Sequence, residues 1–132
     1  MKTIIAILTL LSLTACSTVN SIVGKIPSFN DTNQSAKIID VRQDIARLDC
    51  GRPLLPQAQQ IQRDLEWFHL YSESAGLRHQ DVLRLIAPME ETTNELAERA
   101  AKAEPSAVYC KLKKDILTDQ ARSAAKAILG RF

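Results

Sequence analysis

The chain has 132 residues, enough for one small domain and no more. Its 17 Lys and Arg face 15 Asp and Glu. That near balance argues against nucleic acid, whose binding needs a concentrated basic surface. The one local basic cluster, Lys111, Lys113 and Lys114, is offset by Asp115 and Asp119 and reads as a solvated helix face.

The first element in chain order is a targeting segment. One positive residue, Lys2, precedes the mostly apolar run Thr3 to Leu13. A membrane-spanning helix needs about 20 such residues, so the run fits a secretory signal instead. It ends in Leu13-Thr14-Ala15-Cys16, which resembles the lipobox of bacterial lipoproteins. That resemblance implies lipid on the Cys16 thiol and cleavage just before it, with residues 1–15 removed. Several acyl chains, at roughly 0.8 kcal/mol per buried CH₂, anchor a protein effectively permanently. Ser17 stands where the same family carries aspartate for inner-membrane retention, so the resemblance implies an outer-membrane anchor facing the periplasm. The covalent lipid is the only non-protein group expected.

Residues 16–33 mix Ser, Asn, Thr, Gly and Pro without a sustained period and read as a linker. Its Ile22, Val23, Ile26 and Phe29 are more apolar than a pure spacer needs. The domain is expected to occupy residues 34–132.

From there the apolar spacing is helical throughout. Ile38, Val41, Ile45 and Leu48 mark a first helix over 34–50, ended by Gly51 and Pro53, with Cys50 in its last turn. Ala58, Ile61, Leu65, Phe68 and Ala75 mark a second, stopped by Gly76. Val82, Ile86, Met89, Thr93, Leu96 and Ala100 keep one phase over 80–103 despite Pro88, which predicts a kinked helix or two short ones nearly in line. After Pro105-Ser106, Val108, Leu112, Ile116, Leu117, Ala121, Ala124 and Ile128 give a fourth helix over about 107–129. No stretch alternates over a strand length. The expectation is an all-α four-helix bundle.

With Cys16 given to lipid, Cys50 and Cys110 remain, and two cysteines in an oxidising compartment usually pair. In an up-down bundle, the end of helix one and the start of helix four meet at the same end. Two free thiols or a bond to another chain are the alternatives. A metal site is not expected, since neither His69 nor His79 lies at ligand spacing from a cysteine.

The usual catalytic patterns are missing from the sequence. Its glycines in the mature chain are isolated, and no nucleophile elbow, HExxH or CxxC occurs. His69 is placed at a helix boundary between core and solvent, and His79 in an exposed connection. Glu90 and Glu91 are adjacent, so on a helix they point apart, and after Pro88 they would complement a helix N-terminus. No small-molecule substrate is expected. The remaining oddity is Trp67-Phe68-His69-Leu70-Tyr71, where Phe68 belongs to the core stripe and Trp67, Leu70 and Tyr71 share a neighbouring face. That face is either the second contact of a central helix or a groove that binds a partner, because Trp and Tyr dominate interface hot spots.

The stretch from Trp67 to Ser74, Asp81-Val82, Tyr109 to Lys114 and Gly130-Arg131-Phe132 resemble small lipoproteins of tailed phages. Such proteins commonly serve as the outer spanin subunit, which joins an inner-membrane partner across the periplasm during host lysis. Cys50-Gly51-Arg52 and the stretch from Pro105 to Cys110 also resemble the layout of type II secretion pilotins, helical lipoproteins that grip a helix of their secretin. A passive envelope lipoprotein, structural or excluding superinfecting phage, is the third expectation. All three imply a non-catalytic module tethered at the outer membrane that acts through another envelope protein.

Overall fold

A computed structural model describes residues 30–131. The signal segment, Cys16 and the linker up to residue 29 lie outside the described residues. Four helices follow in order: α1 (Thr32–Arg47), α2 (Leu54–Ser74), α3 (Gln80–Lys102) and α4 (Ala107–Leu129), with a 3-10 turn at Gly76–His79 between α2 and α3. No strand occurs among the described residues.

Each helix forms where its cap and apolar phase agree. Asp31 caps α1, its carboxylate accepting from the Asn33 and Gln34 amides, so residues 32 and 33 belong to the domain rather than the linker. Ser106 caps α4 through the Tyr109 amide. The first turn of α2 is held from outside, by Glu104 Oε1 accepting from the Leu54 amide at 3.1 Å. Gly76 opens the 3-10 turn at φ +77°, a backbone angle that side-chain-bearing residues rarely adopt.

The helices pack as an up-down ring, with α1 against α2, α2 against α3, α3 against α4 and α4 back against α1. Ile38, Val41, Ile45, Leu54, Ile61, Leu65, Phe68, Ile86, Met89, Leu96, Leu117 and Ile128 fill the interior. α4 contributes Ala121, Ala124 and Ala125, whose small side chains let its backbone approach its neighbours.

The Cys50–Cys110 disulfide closes one end, with the two Cα atoms 5.7 Å apart. Cys50 sits in the turn after α1 rather than in its last turn, because α1 ends at Arg47. Beside it, Lys114 Nζ donates to the Ala46 and Leu48 carbonyls, satisfying groups at the C-terminal end of α1. Lys113 pairs with Glu95. Two of the three clustered lysines are therefore tied inside the fold, and Lys111 alone is exposed solvated surface.

Three details of the sequence reading are corrected. Ala75 is exposed at the C-cap of α2, and Ser72 takes the buried position one turn earlier. Val108 and Leu112 are 81% and 55% exposed, leaving Cys110, Leu117, Ala121, Ala124, Ala125 and Ile128 as the buried stripe of α4. α3 runs unbroken through Pro88, whose ring faces solvent, which excludes the alternative of two short helices in line.

Candidate interaction surface

Trp67, Leu70 and Tyr71 do not act as one surface. The Trp67 and Tyr71 rings stack with centroids 5.0 Å apart and planes 6° from parallel. Their i, i+4 spacing on α2 puts them on the side that faces α1. Lys37 Nζ lies 5.1 Å from the Trp67 ring centre. The Tyr71 hydroxyl donates to Asp31 Oδ2 at 3.0 Å and accepts from Asn33 Nδ2 at 3.0 Å. Tyr71 thus helps hold the start of α1, and Trp67, 41% exposed, carries the accessible part of the pair. Leu70 is 54% exposed and edges a different feature, a groove between α2 and α3.

That groove encloses about 790 Å³. Two side-chain bridges cross it. Gln62 Nε2 donates to Asn94 Oδ1 at 2.8 Å, and His69 Nδ1 donates to Glu90 Oε1 at 2.9 Å. His69 lies within α2, half-buried at the boundary between core and solvent. Glu90 lies in the interior of α3, not at a helix start, and faces His69. Leu65 and Thr93 line the floor, Glu66 and Arg63 the wall. Sequence reading assigned Thr93 to the core stripe, and burial bears that out. The groove itself had no sequence signal, because Gln62, Glu66 and Asn94 look like ordinary solvated residues until α2 and α3 are side by side.

His79, expected in an exposed connection, is half-buried in the 3-10 turn. Gln34, fully buried near the start of α1, donates from Nε2 to Ser72 Oγ at 3.1 Å and to His79 Nδ1 at 2.5 Å. This polar cluster fastens α1, α2 and the turn together at the end opposite the disulfide. At the same end Arg131 donates to Asp81 Oδ2 at 2.6 Å, with both side chains largely buried.

A charged seam joins α1 to α2 below the ring pair. Lys37 Nζ lies 3.0 Å from Asp64 Oδ1, and Gln60 Nε2 donates to Asp64 Oδ2. Burial and the neighbouring Asp64 push the Asp44 carboxyl above its ordinary value, against the opposing pull of Gln60 and Arg47. Burial would raise Asp64 too, but hydrogen bonds with Asp44, Lys37 and Gln60 and the Lys37 charge outweigh it and hold Asp64 low. Lys37 is raised, since Asp64 and Asp40 outweigh the burial that works to lower it.

Among the described residues no group of three or more His, Cys, Asp or Glu could hold a metal ion, and no helix is long and apolar enough to cross a membrane. Searches against protein-family models, curated proteins and solved structures returned no match to this chain.

Proposed function

We propose that this protein is an outer-membrane lipoprotein of the periplasm that works by binding another envelope protein. The observation that carries the reading is Leu13-Thr14-Ala15-Cys16 at the end of a short charged and apolar leader. Cys16 takes the lipid, residues from Ser17 to Asn30 form the tether, and the helical domain is the binding part. The role is non-catalytic and needs no cofactor beyond the lipid. In its most concrete form it is the outer spanin subunit of a phage lysis system, joined to an inner-membrane partner.

A specific observation favours a second reading. The disulfide ties the turn after the first helix to the first turn of the last. That is the layout implied by the resemblance to type II secretion pilotins, whose partner is a secretin helix.

Trp67 and Leu70 are the exposed apolar side chains of α2 on which a partner would close, each beside a different neighbour of that helix. Tyr71 supports Trp67 from behind. The test has two parts. Metabolic palmitate labelling should mark the native chain and not Cys16→Ser; equal labelling of both rejects the anchor. A photo-crosslinking amino acid at Trp67 or Leu70 should then give a protein adduct in the native host. An inner-membrane coiled-coil protein identifies a spanin and a secretin identifies a pilotin. No adduct from either position rejects partner binding through α2.

A further inference from the structure

Opposite its buried stripe, α4 carries a row of exposed side chains at alternating steps of three and four residues: Leu112, Asp115, Asp119, Arg122, Lys126 and Leu129. That spacing keeps side chains in one line and is the one by which two helices pair. Cys110, Leu117, Ala121, Ala124 and Ile128 point the other way, into the core. The row is apolar at its ends and charged in its middle. Leu112 is 55% and Leu129 41% exposed, and Val108, 81% exposed, continues the row one turn before Leu112.

The order of these six side chains is self-complementary. A second copy can run the other way, with a twofold axis between residues 120 and 121. Leu112 then meets Leu129 of the second copy, Asp115 meets its Lys126, and Asp119 meets its Arg122. The same pairs recur on the far side of the axis, as an isologous contact requires. A parallel arrangement would set each residue against itself, and Asp115, Asp119, Arg122 and Lys126 would all face like charge. Asp119 and Arg122 already touch within one chain at 2.9 Å. At the axis, four charges of alternating sign therefore close into a ring.

We propose that the protein forms a homodimer through α4, two copies packed antiparallel along this row. The leucines at its ends supply the apolar burial, and the charged middle fixes direction and register at some cost in affinity. The two helices touch over about 26 Å at 1.5 Å per residue. That is small for a specific interface, so the dimer is reversible rather than obligate. α2 lies diagonally across the ring from α4, so pairing covers neither Trp67 nor Leu70. Dimerisation and the partner-binding role therefore stand or fall separately.

The test is sedimentation equilibrium of the full chain in density-matched detergent, with micelles in large excess over protein. A monomer–dimer equilibrium is expected. Asp119→Arg should weaken it roughly tenfold or more by setting like charges together, and adding Arg122→Asp should restore it. A monomer at every concentration, or a dimer indifferent to Asp119→Arg, would overturn the proposal. Both positions are exposed, so neither change empties core volume. Register is read from Leu112→Cys and Leu129→Cys, each made in a Cys16→Ser chain so that one thiol stands beside the disulfide. A short bismaleimide should join the two variants when mixed and neither alone, since residue 112 of one copy lies about 26 Å from residue 112 of the other. Joining of Leu112→Cys to itself would mean a parallel pair and would overturn the proposal. So would an unjoined mixture of variants that still sediment as dimers; variants that fall to monomers place the leucines in the interface and support it.

Discussion

At the scale of single residues, the α1–α2 seam sets two carboxylates against each other. Asp64 is held low by its partners, so its contribution to stability is present above its unfolded pKa and lost as pH falls through the folded one. Asp44 is raised, so its contribution is present below its unfolded pKa and lost as pH rises through the folded one. At neutral pH the two therefore pull in opposite directions. Asp44→Asn should stabilise the protein by about 0.5 kcal/mol at pH 7, since the amide can donate to Asp64 where a second carboxylate repels it. Asp64→Asn should destabilise it by about 1 kcal/mol by leaving Lys37 without its closest anion. Urea midpoints at pH 7 and at successively lower pH check both, and each difference should shrink as pH falls through the folded-state pKa of its carboxyl, Asp44 first and Asp64 last. Trp67→Ala should shift stability little by comparison, because the indole is 41% exposed and stacks on one side only.

At the scale of elements, α3 and the disulfide offer the clearest tests. Pro88 lies nine residues into a 23-residue helix and brings no N–H to the carbonyl one turn back. Its ring faces solvent, so replacing it empties no core volume. Pro88→Ala should raise stability by about 1–3 kcal/mol, seen as a higher urea midpoint with an unchanged slope. The α3 phase survives the proline because Met89 and Ile86, on either side of it, are both fully buried and fix the helix through packing. The disulfide works through the unfolded chain. Its 60-residue separation corresponds to about 4 kcal/mol in the chain-entropy model. Reduction, or a Cys50→Ala/Cys110→Ala pair, should lower Tm by well over ten degrees for a domain of this size. Equal melting with and without reductant would show that Lys114 and the Glu104 cap hold that end without the bond.

At the scale of the whole molecule, the ring of four helices has two different ends. The disulfide, the Gln57 contacts to Asp49 and Pro53, and Lys114 on the α1 carbonyls staple one end. Gln34 with Ser72 and His79, and Arg131 with Asp81, fasten the other, where the chain enters at Asn30. The two exposed apolar residues of α2 lie toward that entry end, Trp67 beside α1 and Leu70 beside the groove with α3. In the proposed role, a partner drawn to α2 binds close to where the tether joins the domain. Shortening the tether by deleting residues 20–27 should therefore weaken partner crosslinking at Trp67 in cells while leaving Tm unchanged. Full crosslinking after that deletion would place the binding surface clear of the membrane.

The helix count and the pairing of Cys50 with Cys110 were legible in the sequence, whereas the cap at Asp31 was not, since residues up to 33 read as linker. The first two depend on local spacing, or on the one end where the first and last helices of an up-down bundle must meet. The same reading misassigned Val108 and Leu112, which stand two residues either side of the fully buried Cys110 and so lie on the opposite face of α4 from its buried stripe. Their apolar character, rather than their phase, drew them into it. Only the tertiary structure separated Leu70 from the Trp67–Tyr71 pair, since residues three and four apart on one helix can face different partners. It alone made a groove of Gln62, Leu65, Glu66, Glu90, Thr93 and Asn94. Those residues lie on two helices, and no property of either chain segment says which groups will stand opposite one another once packed.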